Sequence, residues 1–101
     1  MDKLSLTLSD LQRHVAEFSH SRGFDQNSVD RRMVYLTSEV GEVAEEVLKI
    51  AENHPLASKE KLGLEIYDVI WNLLELANQL DIDVEKSARQ KMEINKERVW
   101  D

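Results

Sequence analysis

The sequence predicts an all-α fold of four helices. The second and third form a long antiparallel hairpin, and the chain assembles as a helical-bundle homo-oligomer. Three observations predict this. Only 3 Gly and 1 Pro interrupt 101 residues, so little in the chain breaks a helix. Val, Ile and Thr do not alternate over any long stretch, which argues against strands. The third predicted helix is apolar on two faces, more than one short hairpin partner can cover, so a subunit interface is expected.

The first helix is expected from about Ser9 to Arg22. Ser9-x-x-Gln12 has the form of a capping box, Leu8, Leu11, Val15 and Phe18 make an apolar stripe, and Gly23 ends it. Phe24 to Asn27 connect it to a second helix, from about Ser28 to Asn53, with Asp30 placed to suit the helix dipole. There Met33, Leu36, Val40, Val43, Val47 and Ile50 step by three and four as a heptad-like seam. Asn53-His54-Pro55 breaks the chain, because Pro cannot continue the helix. The third helix runs from about Ser58, its N-cap, to Leu80. Its stripes are Leu62, Ile66, Val69, Leu73, Leu76, Leu80 and Leu64, Tyr67, Trp71, Leu74; one polar seam holds Glu65, Asp68, Asn72, Glu75 and Gln79. The fourth starts after Asp83 and ends near Arg98.

The length suits one domain over residues 1–101. A hydrophobic fraction of 42% and a charged fraction of 33% describe a soluble globular chain with a core that is marginal alone. The net charge of −7 disfavours a nucleic-acid partner. No cysteine is present, which excludes disulfides, zinc-thiolate sites and a thiol nucleophile. The N-terminal residues lack the apolar core of a signal peptide and no apolar run is long enough to span a membrane. A cytoplasmic location without membrane contact is therefore expected.

Two short motifs carry the chemistry. Glu39-Val40-Gly41-Glu42 and Glu65-Ile66-Tyr67-Asp68 each place two carboxylates at i and i+3, on one face of a helix. Folding the hairpin about the break sets Glu39 opposite Asp68, Glu42 opposite Glu65, and Tyr35 opposite Asn72. Four acids in an apolar setting need a compensating positive charge. A hard divalent cation with oxygen ligands, Mg²⁺ above all, is the simplest candidate. Glu45 and Glu46 follow the first motif and are expected to face solvent, with contact to the metal as the alternative.

Other candidates divide between chemistry and ordinary structure. Lys91, Asn95 and Arg98 share one face of the fourth helix, either as phosphate ligands or as cations favoured by the helix dipole. Arg31 and Arg32 read as a solvated basic pair, with contact to a polyphosphate as the alternative. Trp71 and Tyr67 read as packing residues, with stacking on a nucleobase as the alternative. Glu17-x-x-His20 lacks the second such motif that a di-iron bundle needs, so His14, His20 and His54 are expected at the surface. Ser5, Ser9 and Ser19 belong to no nucleophile triad, and no Gly-rich phosphate loop occurs.

The ordered set of Glu-x-x-Glu, a helical gap, Glu-x-x-Asp and Lys91…Asn95…Arg98 resembles the all-α nucleoside triphosphate pyrophosphohydrolases of the MazG type. That group includes the dimeric dUTPases and the eukaryotic dCTP pyrophosphatase. The resemblance extends from about Leu8 to Arg98. It implies Mg²⁺-dependent hydrolysis of a (d)NTP to the monophosphate and pyrophosphate, with Mn²⁺ as a substitute, in nucleotide-pool house-cleaning. It implies Glu39, Glu42, Glu65 and Asp68 as metal ligands and Lys91, Asn95 and Arg98 as holders of the phosphate tail, while the two apolar faces of the third helix lead to the expectation of a homodimer or a tetramer of paired dimers. Many relatives carry a second Glu where this chain has Ser38, so a proton-accepting role falls to Glu39 or Glu42. The competing expectation is a non-catalytic dimerisation or regulatory module on the same scaffold.

Overall fold

The computed structural model describes residues 6–98. Helix α1 spans Leu8–Arg22, a 3-10 turn covers Phe24–Gln26, α2 spans Val29–Ala51, α3 spans Lys59–Gln79 and α4 spans Val84–Glu97. No strand occurs among the described residues, and the all-α expectation holds. Ser28, Ser58 and Asp83 cap the last three helices by accepting from the N–H groups of Arg31, Lys61 and Lys86.

The start of α1 corrects the sequence expectation. Thr7 is the N-cap: its Oγ1 accepts from the Asp10 N–H at 3.1 Å and donates to the Asp10 carboxylate at 2.9 Å. Ser9 and Gln12 have distant partners instead. Ser9 donates to Glu85 at 2.9 Å. Gln12 donates to Asn78 and to the Ile82 carbonyl and accepts from the Val84 N–H. These bonds tie α1 to the turn between α3 and α4.

The chain turns where left-handed backbone is available. Gly23 closes α1 at φ 72°, while Asn53 and Asp81 adopt φ 54° and 55° after α2 and α3. Asn and Asp tolerate that region better than most side chains. The His54 N–H then reaches back to the Lys49 carbonyl and the Ile82 N–H to the Ala77 carbonyl, each at 2.9 Å, satisfying carbonyls that a helix end would orphan.

Helices α2 and α3 make the most extensive contact, α1 lies across α3, and α4 leans chiefly on α1. An ion pair from Lys61 on α3 to Glu46 on α2, at 3.2 Å, falls in the register expected for the hairpin. The faces turned inward differ from the expected ones. On α2 the seam with reduced exposure is Arg32, Leu36, Glu39, Val43, Glu46 and Ile50, while Met33, Val40 and Val47 lie exposed. On α3 the polar seam turns in: Asn72 and Glu75 are buried, whereas Leu64, Ile66 and Leu73 are exposed. Both helices thus use a mixed polar and apolar seam between themselves and leave apolar stripes outside.

The buried set reflects this. Val15, Leu36, Leu74 and Ala77 form the apolar core, beside buried Ser19, Arg32, Glu46, Asn72 and Glu75. Such polar groups are tolerable only with partners. Ser19 donates to Glu75, Arg32 to Asn72, and Gln79 to the Asn27 carbonyl.

Candidate functional site

The hairpin brings the acids of both motifs together. One carboxylate oxygen from each of Glu39, Glu42 and Glu65 lies within 4.8 Å of the others. Glu39 Oε2 and Glu65 Oε2 are buried without a hydrogen-bond partner. Burial raises the Glu39 pKa, and the charges of Glu42, Asp68 and Glu65 raise it further. Glu65 is also raised, first by a hydrogen bond with Glu42, then by burial and the charges around it. Asp68 stands beside this trio, close enough to act on Glu39 and Glu65.

Glu46, one turn further along α2, shows what the protein does with a carboxylate it neutralises itself. It is buried, against the expectation that it faces solvent. Lys49 and Lys61 pair with it at 3.3 and 3.2 Å. Burial alone pushes its pKa up, but those two lysines override burial and hold it below the ordinary value. Glu45 is exposed, as expected. Glu39, Glu42 and Glu65 have no lysine or arginine partner among the described residues. Orphaned, oxygen-only donors at this spacing fit a hard divalent cation.

Beside the acids opens a cleft of about 520 Å³. Phe18, Phe24, Tyr35, Tyr67 and Trp71 give it aromatic walls, and Glu39 and Asp68 border it. Phe24 meets Trp71 edge to face, with ring centroids 6.2 Å apart. Burial, then the charge of Asp68, raises the Tyr67 pKa and keeps the phenol protonated. Trp71 and Tyr67 therefore line a cavity instead of serving only as packing. His14 also lines it, and Ser38 stands at its rim next to Glu39.

Arg32 is the residue that the sequence pattern misplaced. Expected in solvent, it is 4% exposed and lies in the cleft wall. The signal was its spacing: Arg32, Leu36 and Glu39 step by four and three along one face of α2. Arg31 is exposed. On α4, Lys91 is exposed and the Asn95 Oδ1 is buried without a partner. No hydrogen bond or ion pair among the described residues joins either to the acids. Arg98 ends α4 as its C-cap.

Fold and site together define an all-helical domain whose central hairpin holds an uncompensated acidic cluster at the mouth of an aromatic cleft. Residues 26–100 match the MazG nucleotide pyrophosphohydrolase domain, and the chain belongs to that family. It is 35% identical over 99 residues to dCTP pyrophosphatase 1 of Rattus norvegicus and 32% identical to dCTP pyrophosphatase 1 of Mus musculus. Each alignment covers 91% of this chain and 58% of the relative, so the chain spans little more than half the length of the proteins it matches.

Proposed function

We propose that this chain is a Mg²⁺-dependent nucleoside triphosphate pyrophosphohydrolase that cleaves a (d)NTP to the (d)NMP and pyrophosphate. One observation carries the proposal: two lysines neutralise Glu46, while Glu39, Glu42 and Glu65 converge without compensation. Glu39, Glu42, Glu65 and Asp68 would hold the cation, with Mn²⁺ as a substitute. When bound, such an ion neutralises charge on the leaving pyrophosphate and makes an attacking water more acidic. Glu39 or Glu42 would accept the proton of that water. The aromatic cleft would receive the nucleoside.

Lys91, Asn95 and Arg98 take the phosphate tail in this proposal, on the strength of the sequence resemblance. The chain acts as a homodimer or as a tetramer of paired dimers, because the apolar stripes of α2 and α3 lie exposed in the single chain: Leu64 is 65% and Leu73 48% exposed. A folded monomer at micromolar concentration by sedimentation would overturn the dimer. No described helix is long and apolar enough to cross a membrane, and nucleotide-pool house-cleaning in the cytoplasm is the proposed setting. The deciding experiment is a turnover panel of canonical and modified nucleotides with Mg²⁺, reading pyrophosphate. Metal-dependent pyrophosphate release is expected. No turnover anywhere on the panel would favour a non-catalytic helical module.

A further inference from the structure

We infer that Arg32 reads the nucleobase, and that it selects bases presenting two adjacent hydrogen-bond acceptors on one edge. This rests on the proposal that the aromatic cleft receives the nucleoside of a triphosphate. Arg32 is a nearly fully buried cation, and no carboxylate among the described residues pairs with it. Its guanidinium sits 5.2 Å from the Trp71 ring centroid and 5.5 Å from that of Tyr35. Those rings supply part of the stabilisation that a carboxylate would give elsewhere.

The hydrogen bonds of the guanidinium are half made. Nη1 donates to the Asn72 Oδ1 at 3.0 Å and Nη2 to the Phe24 carbonyl at 3.3 Å. Nε is buried with no partner. Arginine has five N–H donors and no acceptor. The two acceptors it reaches are already used. The Phe24 carbonyl also accepts from the backbone and side-chain amides of Asn27, and the Asn72 Oδ1 is the atom that accepts from Nη1. This part of the cleft therefore offers donors in excess.

Position along α2 suits a nucleoside. Arg32 precedes Glu39 by two turns, a rise of about 10 Å. A phosphate at the acids thus leaves the base beside Arg32. A donor-only fork matches the N3 and O2 edge of cytosine or the N7 and O6 edge of guanine. It opposes adenine, whose N6 amino group is a donor, and thymine or uracil, whose N3–H separates the two carbonyls. Asn72 is a positioning residue: it holds the fork through Nη1 and is itself anchored to α3.

The test compares dCTP, dGTP, dATP and dTTP with Mg²⁺, for the parent and for Arg32→Gln and Arg32→Lys. The parent should favour dCTP or dGTP over dATP and dTTP by about ten- to hundred-fold in kcat/KM, the discrimination a bidentate pair provides; whichever of the two leads tells cytosine from guanine. Arg32→Gln should narrow the spread across the four bases to within about three-fold, acting mainly on KM. Arg32→Lys, a cation without the fork, should recover only part of it. Should Arg32→Gln fail to fold, binding of free deoxycytidine, deoxyguanosine and deoxyadenosine to the parent by calorimetry gives the same ranking independently. Preference for dATP or dTTP, or a preference that survives in Arg32→Gln, overturns the role of Arg32 while leaving the pyrophosphohydrolase proposal standing. Absence of turnover with every triphosphate defeats that proposal instead, and the nucleoside binding ranking then decides on Arg32 alone.

Discussion

Replacing Glu42 with Gln tests the acidic cluster through stability, apart from catalysis. The substitution removes one of three carboxylates held within 4.8 Å of each other while changing little in shape. It also removes one of the charges that raise Glu65 and one of those that raise Glu39. In EDTA the variant should therefore melt at the same temperature as the parent or higher. Cation binding should reverse the order. At a Mg²⁺ concentration about 100 times its Kd, mass action stabilises the parent by about 2.7 kcal/mol. In a domain of this size about 1 kcal/mol moves Tm by about 4–8 °C, so the parent should gain about 10–20 °C. If losing Glu42 weakens Mg²⁺ about 100-fold, the same concentration stabilises the variant by only about 0.4 kcal/mol, or about 2–3 °C. Asp68→Asn should behave alike, with a smaller change in EDTA because Asp68 stands at the edge of the trio. The assay is thermal melting by circular dichroism at one protein concentration, with EDTA and with Mg²⁺. Clear destabilisation of both amide variants in EDTA, with an undiminished Mg²⁺ response, would refute the metal-ligand assignment and make the cluster structural.

Further expectations follow from other parts of the molecule. Lys91→Ala and Arg98→Ala should each raise KM for the triphosphate while leaving Mg²⁺ binding intact; Arg98→Lys should be impaired too if the contact is a planar fork, and unchanged kinetics in all three would remove them from the site. In EDTA, the stabilisation tied to protonated Glu39 should be complete below the ordinary carboxyl pKa of 4.5 and lost as pH rises through the raised value. Melting of the parent against Glu39→Gln across that range should show the parent falling behind as pH rises; the opposite slope would mean that Glu39 is paired in the folded state. Gly23→Ala should cost about 1 kcal/mol, because φ is 72° there and nothing lies within 4 Å of the added Cβ to worsen or relieve the strain; an unchanged denaturant midpoint would show that the turn relaxes.

Helix order, caps and breaks were legible because local chemistry sets them. Gly23, Ser28, Ser58 and Asp83 act where their residue types predict. The α1 start was misread because Ser9 and Gln12 find partners in the α3–α4 region, which local pattern cannot foresee. The acids were legible as a set because two i, i+3 pairs on facing helices must converge once the hairpin closes. The inward faces were not. Hydropathy favours the apolar stripes, yet the hairpin closes on Arg32, Glu39, Glu46 and Asn72, and Glu75 turns to Ser19 of α1. Tertiary pairing decides this: lysines neutralise Glu46, Ser19 meets Glu75, and Arg32 meets Asn72. None of these pairings is local in sequence except that of Lys49 with Glu46. Arg32 was misplaced for the same reason, since a lone arginine on a helix is most often solvated.

The central claim is that the Glu39, Glu42, Glu65 and Asp68 cluster serves the release of pyrophosphate from a nucleoside triphosphate. Phosphorus NMR of a (d)NTP incubated with the parent chain and with Glu42→Gln, each with Mg²⁺ and with EDTA, tests it most directly. The parent should yield nucleoside monophosphate and pyrophosphate only with Mg²⁺, and Glu42→Gln should yield neither at a comparable rate. Orthophosphate with nucleoside diphosphate as the products, or pyrophosphate release undiminished in Glu42→Gln, would contradict it.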